Sequence, residues 1–542
     1  MGSLGAQNPA GVKLPTIKLD TTLDELYKRA SPDSSRTQLG WVSCGVTSGV
    51  DLTPAFPRNT KFIYQDQAFT AAPRHELNNG NATLQRSLAE KYLSHIPQRD
   101  AFVSGNTKVV FFNISQDPEQ IEHERREAEA TISVLDPSQR PEIIFCPGPS
   151  KIPMKEHGID TLEYKVVIDG LQGYPLTHDL ETHWLLNSKA ALARSGLPTP
   201  RSEVIEPDGH PPPADSCCDP CAAAAADTSR LPCIPAHCTG PRGRWLAAQT
   251  ARILSAVRAR PVPFVLKTQQ AFGGAGTWLV TTPSQKAQLL ADLGGGADND
   301  QTKKEGDGDG GDGDGGDGLL RKLLSLLTPS NAHLSPAAIL LTDLIPRPKG
   351  DYGLTFFVTA AGAPPIFLAA AEQMLTEDGS SAWIGSRINY ARQDALREKF
   401  AGLVGRIAAW VARHGYVGPV GADVLEAAGE DGAGEGEEEV FVVDLNVRTC
   451  GSVGLPLLRG HFTARGLGCA SSFSISVRGG RGEFARAWRA PLEEGRMVIL
   501  SWYEDPSGTG ESIADVVVGG EDEARLGELM RAVRERTEEV TF

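Results

Sequence analysis

The segment Val440–Arg448 constrains this chain more than any other, because an apolar strand pattern there ends in three alternating polar residues. Its first four residues are apolar and mostly β-branched, which predicts a buried strand. Asp444, Asn446 and Arg448 then leave one face of that strand. Desolvating these groups is unfavourable unless a charged ligand is bound. Oxygen ligands suit Mg²⁺ and a guanidinium suits a phosphoryl group, so the segment indicates a site for Mg²⁺ and a polyphosphate. A strand end exposed to solvent is the alternative.

Composition restricts the classes of protein to which the chain can belong. Its 542 residues suffice for about two to four domains. A net charge of −15 argues against nucleic acid as a partner, because phosphate binding needs clustered Lys and Arg. The lack of a run of about 18 apolar residues predicts no membrane span. Nine cysteines at irregular spacing, with no signal-peptide pattern, predict free thiols and a cytoplasmic location.

Three regions can be separated along the chain. Residues 1–180 contain strand patterns at 108–114 and 142–146 with an amphipathic helix pattern between them, which predicts an N-terminal α/β domain with a mainly parallel sheet. Residues 181–470 form a second domain. Residues 471–542 predict a small C-terminal α+β segment. Its elements are strands near Met497–Trp502 and Ser512–Val518 and a helix at Glu523–Arg536.

Three inserts of low complexity interrupt the second domain, at residues 207–243, 294–318 and 429–439. The second is almost entirely Gly and Asp and the third is acidic, so we expect both to be disordered. The first is rich in Pro, Ala and Cys. Within it, Cys218 and Cys221 with Cys233 and His237 approach the spacing of a structural zinc site. The surrounding Ala and Pro residues predict no element to present these ligands, so we favour a disordered insert over a zinc site.

Further candidate functional residues lie in two predicted hairpins. The strand Phe264–Lys267 leads into a turn containing Gly273, Gly274 and Gly276, whose backbone N–H groups can approach an anion. A purely structural turn is the alternative. In the second hairpin, Asp423 lies within a short apolar strand, where a carboxylate should be paired or bound to a metal. Pairing of this strand with Val440–Arg448 would bring Asp423 beside Asp444 and Asn446.

The order of these segments resembles the ATP-grasp superfamily of carboxylate–amine ligases over roughly residues 180–470. The resemblance rests on the segments Asn187–Lys189, Gly196–Pro200, Val265–Lys267 with Gly273–Gly276, Thr342–Ile345, Gly421–Asp423 and Val443–Arg448. The residues 444–452 and 460–462 are similar to a fungal branch associated with specialised metabolism. The chain departs from the family pattern in having Asp444 where Glu is usual, Val447 where many members have Pro, and Asp343 where Glu is common.

The resemblance implies a role for each matching residue. The expected ATP contacts are Lys189 and Lys267 on the phosphates, Gly273, Gly274 and Gly276 in a flap above them, Asp343, Leu344 and Ile345 at the adenine, and Asp351 at the ribose. The expected Mg²⁺ ligands are Asp423, Asp444 and Asn446. Arg448 is expected to stabilise the transferring phosphoryl group and, with Lys267, to be catalytic.

Two residues between these segments are candidates for substrate contact. Arg387 suits a carboxylate, and Glu372 lies in the neighbouring part of the sequence. The alternative is that Glu372 and Arg387 pair with each other.

The function that the resemblance implies is an ATP- and Mg²⁺-dependent ligase that joins a small-molecule carboxylate to an amine. The expected fold is an α/β ATP-grasp fold preceded by an N-terminal α/β domain. Homodimers are frequent among such enzymes, and the oligomeric state of this chain stays open. The alternatives are a carboxylase or kinase-like enzyme of the same superfamily, and a nucleotide-binding regulatory protein without catalytic activity.

Overall fold

The computed structural model describes residues 11–30, 38–66, 69, 80–226, 231–271, 276–294, 318–360, 362–376, 383–427, 439–505 and 510–540. The described strands form three sheets, one parallel and two antiparallel, and helices cover them. The predicted α/β fold class is confirmed. None of the helices in these ranges is both long and apolar enough to cross a lipid bilayer.

The N-terminal sheet is parallel, with strand order β3-β2-β1-β4. The predicted strands at 108–114 and 142–146 and the helix between them are present, whereas the strands Leu39–Val42 and Thr161–Tyr164 were not predicted. The helix begins at Pro118, and the Asp117 side chain caps it by accepting a hydrogen bond from the Glu119 N–H. The elements of this region are α1 (Leu23–Ala30), β1 (Leu39–Val42), α2 (Gly80–Ser104), β2 (Lys108–Phe112), α3 (Pro118–Ile132), β3 (Glu142–Cys146) and β4 (Thr161–Tyr164).

The small sheet follows in the chain and is antiparallel, with strand order β5-β8-β6-β7. Its helices bury their apolar sides against one face of the sheet, where Phe264 and Leu266 lie fully buried. The elements of this region are α4 (Leu180–Leu186), α5 (Lys189–Ala193), β5 (Ser202–Ile205), α6 (Asp219–Ala226), α7 (Pro241–Ala259), β6 (Phe264–Thr268), β7 (Thr277–Val280), α8 (Pro283–Gly294), α9 (Leu319–Ser325) and β8 (Ile339–Asp343).

The central sheet has the order β13-β12-β9-β10-β11-β14-β16-β15, and β17 pairs with β14. All of its neighbouring strands are antiparallel. The elements of this region are β9 (Gly350–Val358), β10 (Ile366–Leu375), β11 (Trp383–Asn389), α10 (Gln393–Arg413), β12 (Gly418–Glu426), β13 (Val440–Asn446), α11 (Gly454–Leu457), α12 (Arg459–Thr463), β14 (Cys469–Arg478), α13 (Arg481–Ala487), α14 (Arg489–Glu493), β15 (Met497–Glu504), β16 (Glu511–Gly520), α15 (Glu523–Arg534) and β17 (Glu538–Glu539).

The C-terminal residues do not form a separate segment as the sequence suggested. Strand β14 begins at Cys469 and pairs with β11, so backbone hydrogen bonds cross the predicted boundary at residue 470. Helices α2 and α3 of the N-terminal region pack against β15. One hydrophobic core therefore contains residues from all three predicted regions, among them Phe102, Phe357 and Leu500.

The first predicted insert also differs from expectation. Residues 219–226 form helix α6, and Cys221 is buried in the core of the small sheet. A run of alanines has high helix propensity, and this outweighed the flanking prolines. The other two predicted inserts lie almost entirely outside the described residues, at 295–317 and 428–438.

A pair of Leu→Ala variants tests whether the C-terminal strands share the core of the chain. Leu500 on β15 is 0% exposed, whereas Leu185 at the end of α4 is 45% exposed. We expect Leu500→Ala to lower the free energy of unfolding by about 2–5 kcal/mol because it leaves a cavity. Leu185→Ala should change it by less than about 0.5 kcal/mol. Urea unfolding measures both, and equal effects of the two variants would contradict a shared core.

Candidate functional site

The candidate site lies in the cleft between the small sheet and the β12–β13 hairpin of the central sheet. Lys267 on β6 has its neighbours Leu266 and Thr268 buried on the opposite face of the small sheet, so its own side chain points into the cleft. Its Nζ donates a hydrogen bond to the carbonyl oxygen of Val443 on β13, at 2.6 Å. The two sheets are thus joined by a lysine side chain.

Lys189 makes a second connection across the cleft. It is the first residue of α5, and the Ser188 side chain caps that helix by accepting a hydrogen bond from the Ala191 N–H. The Lys189 side chain is 9% exposed and forms an ion pair with the Asp444 carboxylate. The sequence prediction that Lys189 and Lys267 lie at one site is therefore met by the geometry.

The predicted metal ligands come together through the register of the β12–β13 hairpin. Asp423 is paired with Asp444, and Gly421 with Asn446. The Asn446 Nδ2 donates to Asp423 Oδ2 at 3.4 Å, and the Asn446 Oδ1 accepts a hydrogen bond from Arg448 Nη2 at 2.7 Å. A carbonyl oxygen has two lone pairs, so the Asn446 Oδ1 can accept this bond and still coordinate a cation.

The two aspartates differ in their electrostatics. Burial, together with the charges of Asp444 and Asp351, raises the pKa of Asp423 to about 7. Burial also opposes ionisation of Asp444, but Lys189 and Lys267 lower the pKa of Asp444 below its usual value. Crowded carboxylates with an adjacent amide oxygen are the donor set that a hard divalent cation prefers. The residues present therefore fit Mg²⁺.

Asp351 belongs to the same group of carboxylates. It lies on β9 two residues before Gly353, which is paired with Asp423, so Asp351 and Asp423 share a sheet face. Burial raises the pKa of Asp351 to about 6. We call Asp351, Asp423 and Asp444 the carboxylate cluster.

The lysines carry the complementary charge. Burial and the nearby Lys189 lower the pKa of Lys267 to about 8, although Asp444 acts in the opposite direction. A lysine whose charge is poorly solvated is stabilised by an anionic ligand. The carboxylate cluster provides part of this stabilisation in the free protein, and a polyphosphate can provide more.

The predicted adenine-binding segment lies at the end of β8. The Asp343 carboxylate forms an ion pair with Arg260, and the Asp343 N–H donates to the Arg201 carbonyl oxygen. Within the described residues, no backbone hydrogen bond of Leu344 or Ile345 is found. Their backbone groups are thus open to a ligand, whereas the Asp343 side chain is already paired.

The Gly-rich turn can be judged only in part. Gly273 and Gly274 lie outside the described residues. Gly276 precedes β7, and a Cβ atom there would overlap the Thr268 Oγ1 and lie 2.7 Å from the Ala271 Cβ. Close packing within the hairpin is a sufficient reason for glycine at 276.

Glu372 and Arg387 are not brought to the site, which corrects the prediction that they contact substrate. The Arg387 Nε donates to Glu372 Oε2 at 2.8 Å, and Arg392 donates to Glu372 Oε1 at 2.6 Å. The adjacent residue Gln373 contacts the carboxylate cluster instead. Because side chains alternate along a strand, Glu372 and Arg387 lie on the opposite face of the central sheet.

Gln373 is a site residue that the sequence analysis missed. Its Nε2 donates to Asp423 Oδ1 at 2.9 Å. Its Oε1 accepts hydrogen bonds from Trp383 Nε1 at 2.6 Å and from Ser386 Oγ at 2.9 Å. Two donors on the oxygen fix the orientation of the amide, so its N–H₂ group is directed at Asp423.

A small cavity adjoins Asn446 and Arg448. The other lining side chains include Tyr64, Lys165 and Gln270. Lys165 follows β4 directly, and the carboxyl ends of parallel strands are where α/β proteins place ligand-binding groups. That position was the signal by which Lys165 could have been found.

Lys165 is held by a buried aspartate from helix α2. Its Nζ donates to both Asp100 carboxylate oxygens, at 2.9 and 2.8 Å, and Thr449 Oγ1 donates to Asp100 at 3.1 Å. Burial lowers the pKa of Lys165 to about 8, with Asp100 opposing the shift. The N-terminal region therefore supplies one wall of the cavity next to Arg448.

Comparison with solved structures gives similarities that span the chain at low identity. An N5-carboxyaminoimidazole ribonucleotide synthetase in complex with ADP has 10% identity, with 96% of this chain and 97% of that chain covered and a TM-score of 0.44. The N5-carboxyaminoimidazole synthetase of Staphylococcus aureus has 10% identity, coverage of 93% and 97%, and a TM-score of 0.42. Phosphoribosylamine–glycine ligase of Thermotoga maritima has 12% identity, coverage of 82% and 96%, and a TM-score of 0.41. No family model and no curated protein matches the chain. Any functional proposal therefore rests on the side-chain contacts described above.

The carboxylate cluster makes a prediction about the stability of the metal-free protein. Asp423→Asn removes the repulsion by Asp444 and Asp351 with almost no change of shape. At pH 8 in the presence of a chelator, we expect this variant to be more stable than the parent protein by about 1 kcal/mol. Because the pKa of Asp423 is raised, the destabilisation caused by its charge is complete above about pH 7 and declines as the pH falls below that value. The gain in stability from Asp423→Asn should therefore be smaller at pH 5.

Asp394→Asn is the matched control, since Asp394 on α10 is exposed and paired only with Arg397 in the described part of the chain. It should change the free energy of unfolding by less than about 0.5 kcal/mol at both pH values. Chemical denaturation measures all three proteins. A loss of stability in Asp423→Asn that exceeds the effect of the control would contradict the repulsion.

Proposed function

We propose that the chain is an ATP- and Mg²⁺-dependent carboxylate–amine ligase with an ATP-grasp fold. The observation that supports the proposal is that Lys267 of the small sheet and Lys189 of helix α5 both contact β13, at Val443 and Asp444, beside a carboxylate cluster and Arg448. Cationic side chains on one wall and acidic side chains on the other suit a ligand with negative phosphates and a divalent cation.

The proposed nucleotide position follows from the two walls. The open backbone groups of Leu344 and Ile345 would hold the adenine at the edge of the small sheet. Asp351 would contact the ribose. Lys189 and Lys267 would exchange their present partners on β13 for phosphate oxygens, and Gly273, Gly274 and Gly276 would cover the phosphates.

The metal ligands would be Asp423, Asp444 and Asn446. When bound, Mg²⁺ would neutralise charge on the β- and γ-phosphates. Ligation would also relieve the repulsion within the carboxylate cluster. It would free Lys189 from its ion pair with Asp444, so that metal binding and phosphate binding would support each other.

Two steps complete the proposed reaction. A carboxylate oxygen of the first substrate attacks the γ-phosphorus of ATP, the bond from that phosphorus to the β–γ bridging oxygen breaks, and ADP leaves behind an acyl-phosphate. An amine lone pair then attacks the acyl carbon, the bond to the phosphate oxygen breaks, and the amine loses one proton. The products are an amide, ADP and inorganic phosphate.

Arg448 would act at the centre of this chemistry. Its guanidinium is anchored by Asn446 and faces the cavity that Lys165 also lines. A guanidinium binds a carboxylate or a phosphoryl group through two parallel hydrogen bonds. The first substrate would therefore bind at this cavity with its carboxylate between Lys165 and Arg448.

We infer a role in fungal specialised metabolism from the sequence resemblance alone, and a cytosolic location from the free cysteines. The choice between a monomer and a homodimer stays open.

A pair of arginine variants tests the site assignment. Arg448→Ala should lower kcat/KM by about 10³-fold, the scale on which a charge-stabilising arginine acts in phosphoryl transfer. Arg387→Ala removes the same side chain on the opposite face of the central sheet and should leave kcat/KM within about threefold. Steady-state kinetics with unfolding curves for both variants separates catalysis from folding. The assignment is wrong if Arg387→Ala is the more damaging change.

A product assay tests the reaction type. Amino acids are screened against diacids and short peptides with ATP and Mg²⁺, and released ADP, AMP and inorganic phosphate are separated. We expect ADP and phosphate to appear only when both a carboxylate and an amine are present. Release of AMP and pyrophosphate would exclude an acyl-phosphate, and turnover that depends on bicarbonate would identify a carboxylase instead.

A further inference from the structure

Four cysteines of the first predicted insert lie close together. We call Cys217, Cys218, Cys221 and Cys238 the thiol cluster. The Cys238 Sγ lies 3.5 Å from the Cys217 Sγ, 3.8 Å from the Cys218 Sγ and 3.3 Å from the Cys221 Sγ. All four sulfur atoms lie within 4.8 Å of one another. The set differs from the one that the sequence spacing suggested, because Cys217 and Cys238 replace Cys233 and His237.

These distances match a tetrahedral metal site. Zinc–sulfur bonds of about 2.3 Å in a tetrahedron place the sulfur atoms about 3.8 Å apart. A disulfide would require about 2.0 Å between two sulfurs, well below the separations here. A disulfide also involves only two thiols, whereas four lie together here.

The backbone around the thiol cluster allows the four sulfur atoms to lie close together. Cys217 and Cys218 lie in the turn before α6, and Cys221 lies in its first turn. Cys238 precedes Gly240, the N-cap residue of α7. A Cβ atom on Gly240 would lie 2.5 Å from the Cys217 Sγ, so a larger residue there would push the ligands apart.

Thiolates are the form that binds metal. The backbone N–H groups of Gly240 and Gly243 donate hydrogen bonds to the Cys238 sulfur. The positive end of the α7 helix dipole lies beside the same sulfur, and both features stabilise a thiolate at Cys238.

We propose that the thiol cluster binds one zinc ion. Four protein ligands complete a tetrahedral shell and leave no position for water or substrate, so the site is structural rather than catalytic. Soft thiolate ligands exclude Mg²⁺, which separates this site from the carboxylate cluster.

The proposed zinc ion would hold neighbouring elements of the fold together. Cys221 and Cys238 are part of the core that also holds Leu246 of α7 and Leu266 of β6. Zinc would therefore fasten the turn and α6 to α7, and through α7 to the sheet that carries Lys267. Between α6 and α7, Ile234 is buried in the same core and Leu231 packs against it, so the metal would add to the hydrophobic packing of this segment.

Cys233 offers a matched control within the same segment. Its Sγ accepts a hydrogen bond from Ser325 Oγ at 3.8 Å and is not a member of the thiol cluster. Cys233→Ser therefore makes the same chemical change as Cys218→Ser or Cys221→Ser a short distance away.

Metal analysis of the full-length chain, purified in reducing buffer, tests the proposal without nucleotide or substrate. We expect one zinc per chain in the parent protein and in Cys233→Ser, and loss of the zinc in Cys218→Ser and Cys221→Ser. A strong chelator should lower the melting temperature of the parent protein and of Cys233→Ser but leave that of Cys218→Ser unchanged.

Cobalt substitution keeps the test decisive if a ligand variant does not fold. Addition of Co²⁺ to the metal-free parent protein should give the intense visible bands of a tetrahedral tetrathiolate site, and zinc should bleach them. The proposal is overturned if cobalt gives no such bands, if zinc persists in the folded ligand variants, or if iron occupies the site. Rapid thiol blocking that reveals disulfides among the four residues would overturn it as well. None of these outcomes depends on whether the chain is a ligase.

Discussion

Two lysines and a set of carboxylates face each other across the cleft between the small and the central sheet, and the rest of the site is arranged around that pairing. Lys267 reaches the backbone of β13, and Lys189 neutralises Asp444. Burial of the lysines or of the carboxylates alone would cost free energy, because unpaired charges are poorly solvated in a protein interior. In the free protein the lysines and the carboxylates stabilise each other, and a metal-bound polyphosphate can replace these contacts. Burial first, and then the charges of Asp444 and Asp351, raise the pKa of Asp423, and a divalent cation bound there would stabilise its carboxylate.

The cavity beside this pairing depends on regions that are distant in sequence. The N-terminal region contributes Lys165, which is held by Asp100, and the segment after β13 contributes Arg448. Their positions are fixed by one core that includes helix α2, the central sheet and its C-terminal strand β15. A chain divided into independent domains would leave these groups free to move relative to one another. The shared core instead ties the N-terminal region that carries Lys165 to the central sheet that carries the carboxylate cluster.

The parts that sequence patterns predicted are those set by local rules. The alternation of Asp444, Asn446 and Arg448, and the hairpin that pairs Asp423 with Asp444, follow from strand geometry over neighbouring residues. Lys189 was predicted through the family resemblance of the segment Asn187–Lys189, and the structure places it at the start of a helix capped by Ser188. The prediction for Glu372 and Arg387 failed because a shift by one residue selects the opposite face of a sheet, and only the pairing of β10 with β9 shows that Gln373 is the residue facing Asp423. Lys165 and Asp100 were missed because they meet through tertiary packing across 65 residues of sequence. The sequence spacing grouped Cys218 and Cys221 with Cys233 and His237, and a disordered insert was favoured there because helix α6 was not foreseen.

The proposed function requires that a magnesium-bound triphosphate occupies the cleft between Lys267 and the β12–β13 hairpin. The most direct measurement is a crystal structure of the protein with Mg²⁺ and a non-hydrolysable ATP analogue. We expect a cation ligated by Asp423, Asp444 and Asn446. Lys189 and Lys267 should have moved from β13 onto phosphate oxygens, and the γ-phosphate should be directed at Arg448. A nucleotide bound elsewhere, or bound here with the two lysines still on β13 and the carboxylates free of metal, would contradict it.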